Sequence, residues 1–272
     1  GYGTPHVGVA PIADDRLAAV ATVERSAKQT PATIRLIDVP GTAEAQLGGV
    51  RRADALLAVV RDLADIPSLE LELLVADRDH VERRLDRVRK EAKSGDPNLR
   101  LEAGLLEQLL AHIDDERPLR DWPADLPPQL EPLTSKPLIP IVNGADGVDL
   151  ALEAELRELP AEEAAQFRDG GSSALEDVVR RLASALDLVT FFTAGDTEAR
   201  AWTLRNGETA LDAAASIHTD MARGFIRCEV IRWDDLVAAG SHAEAARRGL
   251  QRLEGKGYVV ADGDVLNIRF NV

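Results

Sequence analysis

Cysteine and methionine each occur once in the 272 residues. A lone Cys228 has no partner within the chain, so no internal disulfide braces it. Its setting, the alternating run Phe225-Ile226-Arg227-Cys228-Glu229-Val230-Ile231, predicts a buried strand position, and nothing nearby predicts the lowered thiol pKa that a redox sensor needs. The only methionine is Met221 and the first residue is glycine, which predicts a start at a tag remnant or a truncation. No apolar run approaches the roughly 18 residues that a membrane-spanning helix needs, so a membrane is not among the expected partners. Positive charge is scarce too: 32 Lys and Arg stand against 47 Asp and Glu, a net charge of -15. That balance opposes indiscriminate binding to nucleic acid and argues against DNA as a partner, while leaving room for a local basic face. The last absence is a motif. No Gly-x-x-x-x-Gly-Lys-Ser/Thr run occurs among these residues, so they encode neither the amide cradle nor the lysine that hold the β- and γ-phosphates of a nucleotide.

The length predicts two or three compact units. Val7-Gly8-Val9-Ala10-Pro11-Ile12 and Ala32 to Asp38 read as strands, the second stopping at Pro40-Gly41. Asp38-Val39-Pro40-Gly41 fits the Asp-x-x-Gly element of P-loop NTPases, where the aspartate reaches the magnesium shell through water and the glycine amide faces the terminal phosphate. Taken alone the letters are weak, because any strand ending at a tight turn supplies them. After a third strand near Ala53 to Arg61, Leu74, Val81, Leu85, Val88 and Ala92 fall on one helical stripe. Gly95 stops that helix, Asp96-Pro97 starts another, and Leu101, Leu105, Leu109 and Ile113 form its facing stripe, which predicts an antiparallel helical hairpin. The first arm carries seven basic residues against four acidic ones between Arg78 and Lys93. They read either as a solvated face laced with ion pairs or, for Arg83, Arg87 and Lys90, as a stripe that touches RNA phosphates. A proline-rich linker, Asp121 to Pro132, leads to the buried strand Lys136 to Asn143.

The last 85 residues are the most distinctive. Phe191-Phe192-Thr193-Ala194-Gly195, Arg200-Ala201-Trp202-Thr203, Ile217-His218-Thr219-Asp220, Arg223-Gly224-Phe225-Ile226-Arg227, Leu253-Glu254-Gly255-Lys256, Tyr258-Val259-Val260, Asp262-Gly263-Asp264 and Phe270-Asn271-Val272 follow one another in order. This run resembles the carboxy-terminal TGS domain of the YchF / Obg-like ATPase family, a branch of the Obg-related P-loop NTPases. Upstream, Pro5-His6-Val7-Gly8 and Leu152 to Leu156 resemble further family segments. The resemblance implies an α/β P-loop NTPase-like domain over residues 1–65 and 133–187, a helical coiled-coil hairpin insertion with its linker over 66–132, and a β-grasp TGS domain over 188–272. In that last domain strands are expected at Leu188 to Thr193, Ala199 to Leu204 and Phe225 to Ile231, a helix near Ala210 to His218, and Asp262-Gly263-Asp264 as a hairpin turn before a strand from Val265 to Val272. His218 has no Ser, Cys or metal-spaced partner and reads as a structural histidine.

By the same resemblance the protein is cytoplasmic and bound to the ribosome, with a role in translation or stress control. ATP or GTP with Mg²⁺ would meet Asp38, Gly41, Asn143 and Asp146, and Arg83, Arg87 and Lys90 would meet ribosomal RNA. Three departures stand out. Asn143-Gly144-Ala145-Asp146 replaces the family's Asn-x-x-Glu, Thr42 replaces a hydrophobic residue after Asp-x-x-Gly, and about 30 residues are missing between Asn143 and Leu152. No catalytic residue can be named. Two readings stay open: an NTP-hydrolysing relative seen as a splice of pieces, or a nucleotide-free adaptor that keeps the hairpin and TGS surfaces. Strands Thr33 to Asp38 and Leu56 to Arg61 would flank the absent first strand, so they should pair directly in a degenerate domain or stand near 10 Å apart around a gap.

Overall fold

A computed structural model of the chain describes residues 6–39, 49–94, 96–144, 147–168 and 173–271. In chain order its elements are β1 (His6–Pro11), α1 (Asp15–Glu24), β2 (Lys28–Thr30), β3 (Thr33–Asp38), β4 (Leu56–Val60), α2 (Ile66–Glu91), α3 (Pro97–Asp114), β5 (Leu138–Val142), α4 (Leu150–Leu156), α5 (Ala161–Phe167) and α6 (Ala174–Ala185). There follow β6 (Leu188–Ala194), β7 (Glu198–Arg205), α7 (Ala210–Ile217), α8 (Thr219–Arg223), β8 (Phe225–Arg232), α9 (Trp233–Ala239), α10 (His242–Arg247), β9 (Arg252–Glu254) and β10 (Asp264–Phe270). The chain divides into two compact units, Gly1–Val7 with Ile37–Ala174 and Gly8–Leu36 with Leu175–Val272. β1 and β3 pair as a two-stranded ribbon.

The second unit is built on a six-stranded sheet in the order β2-β7-β6-β10-β8-β9. β6 pairs antiparallel with β7 and parallel with β10, and β8 pairs antiparallel with β10 and β9. Because successive strand side chains point to opposite faces, neighbours Phe191 and Phe192 enter different cores. Phe191, Cys228, Val230 and Leu266 pack beneath Ala210, Ala213 and Ala214 of α7. Phe192, Ala201, Ile231 and Val265 pack against Leu17, Val20 and Ala21 of α1 and Leu236 of α9. A sheet buried on both faces needs two helical covers, and one of them comes from the start of the chain.

This grouping differs from the sequence-based division, which placed residues 1–65 in the NTPase-like domain. The physical reason is the apolar stripe Leu17, Val20, Ala21, three and four residues apart on α1, which closes the open face of the sheet. Asp14 caps the helix by accepting from the Arg16 N–H. The Arg16 side chain then binds Asp14 at 2.8 Å and Asp262 at 2.5 Å, with its guanidinium 5.6 Å from the Phe192 ring. Its pKa is driven upward, first by the Asp14 bond, against the opposing effect of burial, with Asp262 adding to the rise. The turn at Asp262-Gly263-Asp264 is therefore an anchor for α1. It is not the expected hairpin turn: β10 pairs with β6 and β8 and ends at Phe270. Gly263 has φ +88, and a Cβ there would lie 2.5 Å from the Trp233 ring, so only glycine fits.

In the other unit β4 and β5 run parallel, Leu56 opposite Leu138 and Val60 opposite Val142. α2 and α3 fold against one another through Leu74, Val81, Leu85 and Val88 on one side and Leu106, Leu109 and Ile113 on the other. Leu101, expected on the facing stripe, is 74 % exposed. Paired leucines at 105–106 and 109–110 left the seam ambiguous by one position, and Leu106 is the one inside. A buried carboxylate fixes the hairpin to the strands. Asp77 accepts from Arg51 at 2.6 Å, the Leu133 N–H at 2.9 Å, and the Thr134 N–H and Oγ1 at 2.8 Å each. It is 0 % exposed and Arg51 7 %. Lower in the unit, Glu153 accepts from Arg168, Ser173 and the Ala174 N–H. Burial pushes its pKa up, but those bonds outweigh burial and hold it below the ordinary carboxylate range.

β3 lies in the ribbon with β1 and β4 in the pair with β5. The direct β3–β4 pairing expected of a domain closed over a lost strand does not occur among the described residues.

Asp77→Ala is expected to lower stability by about 3–5 kcal/mol, because it leaves a buried guanidinium and two backbone N–H groups without their acceptor; urea unfolding of the variant checks this. Asp262 supplies a pH test. Burial raises its pKa, but Arg16 and the Thr190 N–H outweigh burial and lower it. A lowered carboxylate contributes stability that is complete above its unfolded pKa, near about 3.9, and is lost as pH falls through the folded value. Asp262→Asn should therefore be less stable than the parent at pH 7, with the difference in urea midpoint shrinking toward pH 3.

Candidate functional site

Asp38 is the last residue of β3 and is exposed. Gly41, with Pro40 and Thr42, lies outside the described residues, as does Asp146. Asn143 follows β5 at the carboxyl end of the parallel pair, the end at which α/β sheets place their ligands. Its N–H donates to Val60 O at 2.8 Å, and its Oδ1 accepts from the Leu150 N–H at 3.2 Å, at the first turn of α4. The intervening loop folds back tightly on the strand: Val148 donates to Val142 O at 2.8 Å, and a Cβ on Gly147 would lie 2.2 Å from that same oxygen. The asparagine braces a loop through its side chain. Asp38 ends a strand of one two-stranded sheet and Asn143 follows a strand of the other, and no hydrogen bond joins them among the described residues.

The described residues include no group of three or more His, Cys, Asp or Glu able to hold a metal. Asp38 is a single carboxylate, and a magnesium ion bound through it needs phosphate oxygens to complete its shell. With no phosphate cradle among these residues, they do not by themselves fit a resident magnesium nucleotide.

A second candidate surface lies along α2. Arg78 binds Asp114 at 2.8 Å and Glu82 at 3.1 Å, Arg84 binds Glu102 at 2.7 Å, and Arg89 binds Glu107 at 2.7 Å. These three arginines are largely neutralised by the hairpin itself. Arg83, Arg87 and Lys90 are exposed, and steps of four and three residues bring them onto one outer stripe. The reading of this arm as a face laced with ion pairs is met at Arg78, Arg84 and Arg89. The cross-hairpin partners Asp114, Glu102 and Glu107 are on α3, so sequence alone could not sort them.

In the other unit, Arg223 pairs with Asp220, and Arg227 lies 3.9 Å from Glu229, which also accepts from Arg269 at 3.1 Å. The His218 Nδ1 accepts from the Asp220 N–H and so caps α8, a structural role. Cys228 is buried, and burial, reinforced by the charge of Asp264, pushes its thiol up to about 12, so it is inert near neutral pH. The Arg16 clamp was missed at the level of sequence; its local sign was the capping pattern Asp14-Asp15-Arg16-Leu17. Among the described residues no helix is long and apolar enough to cross a membrane.

The family model YchF-GTPase_C, described as a protein of unknown function (DUF933), matches residues 188–271. The ribosome-binding ATPase YchF of Bacillus subtilis (strain 168) is 33 % identical over 328 residues, covering 98 % of this chain and 90 % of the relative. At least 56 of those positions (328 − 272) have no residue of this chain opposite them, in line with the abbreviated segments read from the sequence. Obg-like ATPase 1 of Oryza sativa subsp. japonica is 30 % identical over 282 residues, covering 85 % of this chain and 72 % of the relative. The structure of the Schizosaccharomyces pombe YchF GTPase superposes with a TM-score of 0.82 at 24 % identity, covering 98 % of this chain and 88 % of that one, a shared α/β fold. At 33 % identity to a YchF protein across 98 % of its length, the chain belongs to the YchF / Obg-like ATPase family.

Proposed function

We propose that this protein associates with the ribosome through the outer face of the α2–α3 hairpin, using Arg83, Arg87 and Lys90 against ribosomal RNA phosphates. The observation that carries the reading is the exposure of Arg83, Arg87 and Lys90 along one outer stripe of α2. A chain of net charge -15 that concentrates outward-facing cations on one helix has a local surface for phosphates despite its acidity. The relatives named ribosome-binding ATPase point the same way. The β-grasp-like sheet of residues 188–271, read as a TGS domain, serves as a second binding module.

The nucleotide reading is a separate proposal. Asn143 braces the loop at the carboxyl end of β5, as the base-reading asparagine of an NTPase would, and Asp38 and Gly41 would meet magnesium and phosphate, with Asp146 at the base. ATP or GTP would need the phosphate loop as well, so in the polypeptide of these 272 residues the protein acts as a cytoplasmic adaptor, and NTP hydrolysis belongs to a form that carries that loop.

The triple substitution Arg83→Glu, Arg87→Glu, Lys90→Glu should abolish co-sedimentation with ribosomes and leave the circular dichroism spectrum intact, since exposed helix substitutions typically cost under about 0.5 kcal/mol each. Binding by the parent should weaken as salt rises, because each neutralised phosphate releases counterions. Undiminished sedimentation of the folded variant would move the contact to the surface around Arg223 and Arg227, or remove the ribosome from the account. Titration calorimetry with the 272-residue polypeptide should find ATP and GTP binding no tighter than about millimolar, some 4 kcal/mol, and micromolar binding would reinstate the nucleotide site.

A further inference from the structure

The amino ends of β4 and β5 open onto a cleft of about 300 Å³ that none of the readings above uses. Its walls are largely apolar, with Leu56 and Leu138 from the strand pair, Leu71 and Leu74 from α2 and Leu133 from the returning linker, while Glu70 and Glu116 also line it. Lys136 lines it as well, just before β5, and is half-buried. The lysine's ammonium makes no hydrogen bond or ion pair with a described residue; Glu131, Asp54 and Asp77 act on it only through space. Burial, the largest influence, moves its pKa down. At the rim Arg120 is engaged by Glu70 at 2.5 Å, so that cation is already satisfied.

The turns beside the cleft are also unusual. Glu116, which lines it, has φ 58, and Glu131, close to Lys136, has φ 42, both left-handed and both non-glycine. Such conformations cost on the order of 1–3 kcal/mol each and persist where the surrounding structure holds them. The cleft beside them is within the usual size range for small-ligand sites.

An ammonium drawn out of water with no acceptor is a group in need of an anion, and the leucine walls offer nothing to a highly hydrated ligand. We propose that this cleft binds a small amphipathic carboxylate, its anionic head on Lys136 and its aliphatic body, on the order of ten heavy atoms, against Leu56, Leu71, Leu74 and Leu133. The site is separate from the nucleotide-facing end of the sheet, because Leu138 and Asn143 stand at opposite ends of β5, roughly 17 Å apart along the strand.

Octanoate and its neutral counterpart octan-1-ol separate the charge contribution from the apolar one. Saturation-transfer NMR on the full 272-residue chain should show saturable octanoate binding. Lys136→Gln should weaken octanoate at least about tenfold and leave octan-1-ol unchanged, as a single desolvated charge contact predicts. Leu71→Trp, at a position 53 % exposed and therefore safe for the fold, should fill the mouth and reduce both ligands. Thermal unfolding of each variant controls for folding. The proposal is overturned if octanoate fails to bind the parent, if it binds the Lys136→Gln protein equally well, or if Leu71→Trp leaves both affinities intact.

Discussion

One carboxylate sets the geometry of the unit that holds the hairpin. Asp77 gathers donors from three places, Arg51 ahead of β4 and Leu133 and Thr134 on the approach to β5, so a single buried group fixes α2 to both strands of the parallel pair. An ion pair this deep gains little over a well-packed apolar contact, since desolvation offsets the attraction. What it supplies is position, because an unpaired guanidinium or an orphaned backbone N–H in the same place is strongly unfavourable. The register of hairpin against strands follows, and with it the walls of the leucine cleft and the outward aim of the basic stripe.

The second unit depends on a comparable device of opposite character. There the sheet carries an apolar set on each face, and the helix that covers one of them arrives from residues 15–24, some two hundred positions away in sequence. Arg16 marks the docking point, held between Asp14 and Asp262 and resting over Phe192. Burial of Leu17, Val20 and Ala21 provides the driving force, which scales with apolar area removed from water; the arginine fork selects the orientation.

The charge pattern also resolves into structure. A net charge of -15 describes a molecule repelled by phosphate on average. Ion pairing across the hairpin engages Arg78, Arg84 and Arg89, and Arg83, Arg87 and Lys90 are exposed on one stripe of the same helix, within reach of one another on the scale of the Debye length of about 8 Å.

Much of this was legible in the sequence, wherever the cause is local. The two helices of the hairpin follow from their apolar spacing and from Asp96-Pro97, which caps and starts α3 as expected. The strands at Thr33–Asp38, Leu188–Ala194 and Phe225–Arg232 follow from alternation, and the burial of Cys228 follows from its place in that alternation. Family membership was carried by ordered short motifs. Contacts between distant residues were not legible, because period and propensity report only which face of an element is apolar, never what will cover it. Leu101 went to solvent and Leu106 inward because the seam is chosen by the facing helix. α1 joined the carboxy-terminal sheet because its Leu17, Val20 and Ala21 cover the apolar face of Phe192, Ala201, Ile231 and Val265. Asp77, Arg51 and Thr134 look like ordinary polar residues until burial brings them together, and Lys136 becomes a half-buried unpaired ammonium only once leucines from three segments surround it. Sequence determined the elements and their apolar stripes through short-range sterics and hydrogen bonding; tertiary structure decided which stripes meet and which charges are left without partners, because desolvation depends on neighbours that the chain brings in from far away.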